Sequence, residues 1–346
     1  MLKPTDRIAI LLHEGTQSSK GKTGISLLRY SENPIVAVID HACAGQSLPQ
    51  LTGIDRDAPI VASTQEAIEY QPNVLAIGIA PSGGALPEPW RQEVKQAVAA
   101  GMSVMNGLHT SMADDPEFQA LLKSDQWIWD VRREPANLAI GSGKARSLSC
   151  RRVLAVGTDM SVGKMSTGLE LNRLSRQRGI RSCFLATGQT GLMLGYDGIP
   201  LDAIRIDFAA GAVEQIVMRH GNDHEIVYVE GQGSLLNPGS TATLPLLRGT
   251  QPTHLILVHR AGQQHIHNVP DVPIPPLENV VRLYETVAHA GGSFAPVKVV
   301  GIALNTFQLS ESEAKQAIDR ATSATGLPCT DPIRFGADLL LDAILA

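Results

Sequence analysis

Residues 152–167, Arg-Val-Leu-Ala-Val-Gly-Thr-Asp-Met-Ser-Val-Gly-Lys-Met-Ser-Thr, constrain this chain more than any other stretch. Val153 to Val156 form a short apolar, β-branched run of the kind a buried parallel strand needs. Gly157 ends it, five residues follow, and Gly163-Lys164 leads into a segment of helical composition. A glycine-bracketed loop between a strand end and a helix start turns its N–H groups inward. With the helix dipole and a lysine it makes a pocket for phosphate. Gly163 lets the backbone approach the anion, and Lys164 supplies the point charge.

The usual phosphate loop has four residues between its glycines and a Ser or Thr directly after the lysine. Here Met165 follows Lys164. That missing hydroxyl is normally a Mg²⁺ ligand, and Ser166 and Thr167 are each rotated a further ~100° around the helix. Phosphate binding is therefore expected more firmly than Mg-nucleotide turnover. The bland alternative is a generic glycine-rich turn.

A chain of 346 residues has room for two domains. Aromatics are few, so the core must come from Ala, Ile, Leu and Val, which suits an α/β fold. A net charge of −5 gives no footprint for nucleic acid, and no apolar run reaches membrane-spanning length. Cys43, Cys150, Cys183 and Cys329 are scattered without metal-type spacing and read as reduced thiols of a cytoplasmic protein. The first residues lead into only a short apolar run, so no secretion signal is expected.

In the N-terminal half, strand-like runs at Ile8–Leu12, Ile35–Ile39, Pro59–Ala62, Val74–Ile79 and Ser103–Met105 alternate with helix-like segments at Gln65–Tyr70, Glu88–Ala100 and Pro116–Lys123. This predicts a parallel sheet with helices on both faces. Gly15 to Thr23 follows the first strand and matches the phosphate-loop pattern more closely than the central loop, because Thr23 follows Lys22. It reads equally as a second anion site or a surface turn. The loop Gly78–Gly84 follows another strand and is expected to line a ligand crevice. Asp40-His41 and Gly107-Leu-His109 also follow strands. A lone histidine is more often structural than catalytic, and His109 ranks above His41 for its small polar neighbours. No Gly-x-Gly-x-x-Gly with a downstream acid marks a nicotinamide site after the first strand. The boundaries expected are a domain over 1–140, a linker over 141–151 and a second domain over 152–346.

In the C-terminal half, Arg181–Ala186 reads as a strand entering the polar loop Thr187-Gly-Gln189-Thr190-Gly191. Asp207 is placed to cap the helix that follows it. Glu225 to Val229 is an apolar strand delivering Glu230 into Gly231-Gln232-Gly233. A charge at the tip of a buried strand wants a partner: a metal or its water shell, a substrate proton, or a substrate ammonium. Thr253–Val258 and Val297–Leu304 supply further strands. The first ends in His259-Arg260, and Arg260 can hold a carboxylate or phosphate bidentately. His265 and His267 share a face if extended, but no third ligand has convincing metal spacing. Asn305 ends the second strand, where its amide could read a nucleobase.

The loop Gly157-Thr158-Asp159-Met-Ser161-Val162-Gly163-Lys164, the segment Val229-Glu-Gly-Gln-Gly233 and Asn305 resemble dethiobiotin synthetase and its relatives over the C-terminal half. The family's Thr after Lys is replaced by Met165. Over the whole chain, Ala80–Gly84, Gly107-Leu-His109, Gly157 through Met165, Ala186–Gly191, Asp207-Phe and Val229–Ser234 resemble a two-domain family known as a domain of unknown function (number sixteen-eleven). That resemblance implies a Rossmann-like domain followed by a phosphate-loop domain, in which Met after Lys belongs to the pattern. It also implies the activity given for some members, acetyl-CoA-dependent N-acetylation of D-glutamate.

The fold expected is therefore α/β, two domains each with a mainly parallel sheet flanked by helices. The favoured function is N-acetylation of D-glutamate with acetyl-CoA. The runner-up is an ATP- and Mg-dependent ligase or kinase acting on a small carboxylate, and a nucleotide switch or metallochaperone ranks last. Glu230 and Lys164 are the expected catalytic residues, Glu230 as general base. Gly157 to Ser166, Met160 apart, and Asn305 are expected at the cofactor. Lys22, Thr23, His109, Thr187, Gln189, Thr190, Gln232 and Arg260 are expected at the substrate. Amides of Gly188–Gly191 or Gly231–Gly233 are candidate oxyanion donors. No firm metal site is expected, with Glu230 and Ser166, or Asp159 in place of Ser166, the ligands if Mg²⁺ is used. The expected partner is a small amino or carboxylic acid, not nucleic acid or membrane, and homo-oligomer formation is left open.

Overall fold

The apolar runs of the N-terminal half pair as one parallel sheet. Its strands are β1 (Ile8–Leu11), β2 (Ile35–Ile39), β3 (Ile60–Val61), β4 (Val74–Ile77), β5 (Ser103–Asn106) and β6 (Ile128–Asp130), in the order β3-β2-β1-β4-β5-β6. Every pairing is parallel, and this is the doubly wound order of a Rossmann-like sheet. The helices are α1 (Lys22–Tyr30), α2 (Leu48–Thr52), α3 (Thr64–Ala67), α4 (Glu88–Ala99) and α5 (Pro116–Gln119). Asp115 caps α5 by accepting from the Glu117 N–H, with Pro116 in the first turn. The computed structural model describes residues 2–81 and 85–346, so Ser82 to Gly84 of the expected crevice loop lie outside the described residues.

Helices α1 and α2 and strand β6 were not anticipated. Helix α1 carries Gly24, a poor helix former, and so does not read as helical. The glycine is needed for approach: a Cβ there would lie 2.5 Å from Leu12 Cδ1 and 3.3 Å from Gly78 Cα, and its N–H donates to Gly78 O at 2.8 Å. Strand β6 is only three residues long, too short for an alternating pattern to show.

The C-terminal half forms a second six-stranded parallel sheet. Its strands are β7 (Arg151–Gly157), β8 (Ser182–Leu185), β9 (Ile226–Val229), β10 (His254–Arg260), β13 (Lys298–Asn305) and β14 (Cys329–Thr330), in the order β14-β13-β10-β7-β9-β8. A hairpin of β11 (His265–Ile266) and β12 (Val269–Pro273) stands apart from it. Six helices complete the half: α6 (Lys164–Gln177), α8 (Ile206–His220), α9 (Thr243–Thr250), α10 (Leu277–Val287), α11 (Glu311–Thr325) and α12 (Asp338–Leu345). Strand β7 is central, and its apolar run is buried throughout because both sheet faces are covered. The start of α8 differs from expectation. Arg205 occupies the cap position, and Asp207 lies inside the first turn, where a carboxylate still favours the helix dipole.

Two units result, Met1–Arg133 with Gln189–Gly195, and Glu134–Gly188 with Tyr196–Ala346. The short helix α7 (Gln189–Met193) thus belongs to the first unit although it follows β8 in sequence. Residues 141–151, expected as a linker, are part of the second unit. Ala145, Leu148 and Cys150 join its core, and Glu214 of α8 accepts from the Ser142 and Lys144 amides.

Candidate active site at the central glycine-rich loop

Gly157 ends β7 where a side chain would be tightly packed. A Cβ there would lie 3.0 Å from Val162 Cγ2 and 3.1 Å from Lys164 Nζ. Lys164, the first residue of α6, is buried and folds back across this bare glycine to donate from Nζ to the Asp159 carbonyl at 2.7 Å. Gly163 turns the chain into α6 at φ +117°, a conformation costly for any residue with a Cβ. No side chain caps α6, so its first amides keep the anion-binding character of a helix N-terminus. Ser161 is exposed in a left-handed conformation (φ +57°). Met165 is buried at the position of the usual hydroxyl, and Ser166 is half-buried on the same turn.

The loop is held from several sides. Asp159 is fully buried, and its carboxylate accepts four hydrogen bonds: from the Met160 N–H (2.7 Å) and Asn237 Nδ2 (2.8 Å) on Oδ1, and from Gln263 Nε2 and the His267 N–H (both 2.7 Å) on Oδ2. Burial alone would raise this carboxyl group; the four donors outweigh it and hold it below the ordinary range. Thr158 is also fully buried, with Oγ1 2.9 Å from His259 Nδ1. Burial pushes His259 down to about 4, so the ring is neutral near pH 7. Tyr284 of α10 donates to the Gly157 carbonyl at 2.6 Å and accepts from the Leu235 N–H at 3.1 Å. Arg260 donates to Ser161 O at 2.8 Å, and Asn305 donates to the buried Val162's carbonyl at 3.1 Å.

These contacts bear on three expected cofactor residues. Asp159 and Thr158 were expected at a cofactor, but their side chains are turned into the protein as braces. Asn305 was expected to read a base. Its amide instead bonds Val162 O on one end and accepts the Phe307 N–H at 3.1 Å on the other.

Glu230 follows β9 and is buried. Its Oε2 accepts from the Thr187 N–H at 2.8 Å and the Gly188 N–H at 3.1 Å, while Thr187 Oγ1 donates back to Glu230 O at 2.9 Å. Gln232 Nε2 donates to Thr187 O at 2.6 Å. Thr187, expected at a substrate, is fully buried in this knot, and the Gly188 amide, a candidate oxyanion donor, is spent on Glu230. Gly191, another candidate donor, lies within helix α7. A Cβ on Gly231 would meet Ala155 O at 1.7 Å and Lys164 Cδ at 2.9 Å, so the chain leaving Glu230 packs directly on the lysine stem. Lys164 and the Glu230 loop are thereby brought together.

The remaining expected residues lie in the first unit. Thr23 and Thr190 are both buried with their hydroxyls 3.2 Å apart, bonded to each other and not placed for a ligand. Lys22 is exposed at the first turn of α1. Gln189 begins α7 beside Gly107, where a Cβ would lie 3.2 Å from its Cγ. His109 is exposed, with Nε2 2.9 Å from Arg132 Nη1. Burial and then the Arg132 charge lower its pKa.

The loop after β1, which reads equally as a second anion site or a surface turn, already holds a carboxylate of the chain itself. Asp40, at the end of β2, fills it: its carboxylate accepts from the Glu14 and Thr16 amides (3.0 and 3.2 Å) and from Thr16 Oγ1 (2.6 Å). An acid at this position contacts ribose in dinucleotide-binding domains; here it is consumed internally. The loop is also closed on itself, since a Cβ on Gly21 would lie 2.1 Å from Gly15 O.

Sequence reasoning gave no role to Tyr284, Asn237 or His259. Tyr284 carries a hydroxyl on the buried face of α10, which looks apolar in sequence, and its partners lie 127 and 49 residues away. A cavity of about 570 Å³ opens beside the loop, lined among others by Arg260, Gln263, His265, His267 and Gln308. Gln263 and His267 also hold Asp159, so one carboxylate ties the phosphate loop to the cavity wall.

Comparison with known proteins agrees with this architecture. Residues 139–341 match the family model described as domain of unknown function (DUF1611_C) P-loop domain, and residues 41–134 match the DUF1611_N Rossmann-like domain. A protein of Tritonibacter scottomollicae named D-glutamate N-acetyltransferase is 37% identical over 89% of this chain and 91% of its own length. One of the same name from Pseudoalteromonas sp is 33% identical over 80% of this chain and 82% of its own. The crystal structure of a DUF1611 family protein from Anabaena variabilis is 64% identical, covers 99% of both chains and superposes with a TM-score of 0.97. With its Rossmann-like domain, its P-loop domain and Met165 after the loop lysine, the chain belongs to the DUF1611 family.

Proposed function

We propose that this protein transfers an acetyl group from acetyl-CoA to the amine of a small acidic amino acid, D-glutamate being the substrate named for its relatives. One observation carries the reading: the side chains that would serve a metal-bound triphosphate are otherwise engaged. Asp159 spends its carboxylate on four protein donors, and Met165 is buried where the hydroxyl ligand would stand. A diphosphate needs only the lysine and the helix N-terminal amides.

The residues present fit coenzyme A in this way. Lys164 and the first amides of α6 would hold the diphosphate. Acetyl-CoA supplies an acyl carbon already activated as a thioester. Arg260 holds a substrate carboxylate with its remaining donors. The substrate amine must lose a proton to become nucleophilic, and Glu230, oriented by the Thr187 and Gly188 amides, accepts it.

The competing reading, ATP-dependent activation of a carboxylate, requires Ser166 or a reoriented Glu230 to reach Mg²⁺. Calorimetry separates the two. Acetyl-CoA binding without metal, lost in Lys164→Ala, together with thiol release on adding D-glutamate, supports the transferase. ATP binding that requires Mg²⁺, with no response to acetyl-CoA, overturns it.

A further inference from the structure

The cysteines show no metal-type spacing in sequence, yet the fold gathers one of them with two histidines. Cys183 lies on the edge strand β8, His220 is the last residue of α8, and His224 sits in the turn leading to β9. Each offers a ligand atom within 4.8 Å of the others, and all three are partly accessible. This cluster is independent of the phosphate loop. Gly157, Thr187 and Glu230 sit at the carboxyl ends of their strands, whereas Cys183 and His224 sit at the amino ends of β8 and β9.

The hydrogen bonds fix both rings in ligand-ready forms. His224 Nδ1 lies 2.9 Å from the His220 carbonyl, which can only accept, so Nδ1 carries the proton and Nε2 keeps its lone pair. His220 Nε2 lies 2.7 Å from Asp197 Oδ2, a carboxylate that also receives Arg219 at 2.8 Å, so Nε2 carries the proton and Nδ1 keeps its lone pair in the neutral ring. An imidazole that donates one N–H to a carbonyl or a carboxylate is the usual outer-shell arrangement of a metal-bound histidine. Asp197 brings negative charge to the same spot.

We infer that Cys183, His220 and His224 form a Zn²⁺ site, with water in the fourth position. One thiolate and two imidazoles are a borderline-soft donor set that suits this ion. Bonds of about 2.0 Å to nitrogen and 2.3 Å to sulfur require the ligand atoms, now within 4.8 Å of one another, to draw together. Zinc takes the cysteine as its thiolate, so binding releases the thiol proton to solvent. The site pins the end of α8 and the turn into β9 to the otherwise open edge of the sheet.

The test uses the metal-free, full-length protein, with Zn²⁺ titrated against a chromophoric chelator and Co²⁺ as the spectroscopic probe. Cys183→Ser and His224→Gln are conservative and test the site. His41→Gln tests the other grouping of such side chains among the described residues, His13, Asp40 and His41. The expected result is one equivalent of Zn²⁺, weakened at least tenfold in Cys183→Ser and His224→Gln and unchanged in His41→Gln. The Co²⁺ form should show a thiolate-to-cobalt charge-transfer band that disappears in Cys183→Ser. No stoichiometric Zn²⁺ binding, binding indifferent to Cys183→Ser, or binding lost in His41→Gln overturns the assignment.

Discussion

The carboxylate of Asp159 accepts the backbone N–H of His267 at 2.7 Å, across 108 residues of sequence. Through that bond the phosphate loop and the hairpin beside it are parts of one rigid wall. Asn237 and Gln263 complete the bracket from two further segments.

Asp159→Asn should break this bracket, because an amide turns an N–H₂ toward donors that the carboxylate now satisfies. The expected cost is about 1–3 kcal/mol, read by urea unfolding, together with weaker acetyl-CoA binding by calorimetry. The same donors hold the Asp159 carboxyl below its unfolded value of about 3.9. Its contribution is therefore complete above that value and lost as pH falls through the lower folded one. The Asn variant should show a smaller loss of stability in acid than the parent.

Tyr284→Phe removes one hydroxyl and leaves the buried Gly157 O and the part-buried Leu235 N–H without that partner. A loss of about 1–3 kcal/mol is expected in denaturant unfolding. Because Gly157 opens the phosphate loop, ligand affinity should fall with it. An unchanged melting curve and unchanged affinity would show that the hydroxyl is dispensable.

His259 supplies a pH dependence of the same sign as Asp159 but from a different cause. Its folded pKa, about 4, lies below the unfolded value of 6.5 because burial disfavours the cation. Between those values the unfolded chain binds the proton and the folded chain does not, so stability rises with pH across the window. A shift of this size corresponds to roughly 2–3 kcal/mol lost between about pH 6.5 and 4. In His259→Gln, unfolding free energies measured at several pH values should follow a flatter line over that range.

Glu230→Gln keeps a carbonyl oxygen able to accept from Thr187 and Gly188 but removes the base. If Glu230 takes the amine proton, kcat should fall on the order of 100-fold or more with KM nearly unchanged and the fold intact by circular dichroism. Near-normal turnover would assign Glu230 to holding the Thr187 loop alone.

What could be read from the sequence depended on how local its physical cause was. Strand β7, the turn at Gly157 and Gly163-Lys164 were legible because a doubly buried strand is a continuous apolar run and a loop entering a helix needs glycine nearby. The α/β class and the parallel sheets follow from the alternation of strand-like and helix-like runs, whereas the order of strands within each sheet had to come from the structure. The braces were not legible, since a hydroxyl on Tyr284 or an amide on Asn237 carries no mark of a partner tens of residues away. Nor could spacing show that Thr187, Thr190 and Thr23 turn inward, because polar residues in a glycine-rich loop look the same facing a ligand or a neighbour. The cluster of Cys183, His220 and His224 exists only because β8 and β9 pair side by side.

The carboxylate of Asp40 in the loop after β1 acts as a tethered competitor. A group fixed within its own binding nest has an effective concentration far above that of any dissolved phosphate, so an external anion must evict a resident that never diffuses away. Two loops with similar glycine and lysine signatures thus differ in occupancy before any ligand arrives.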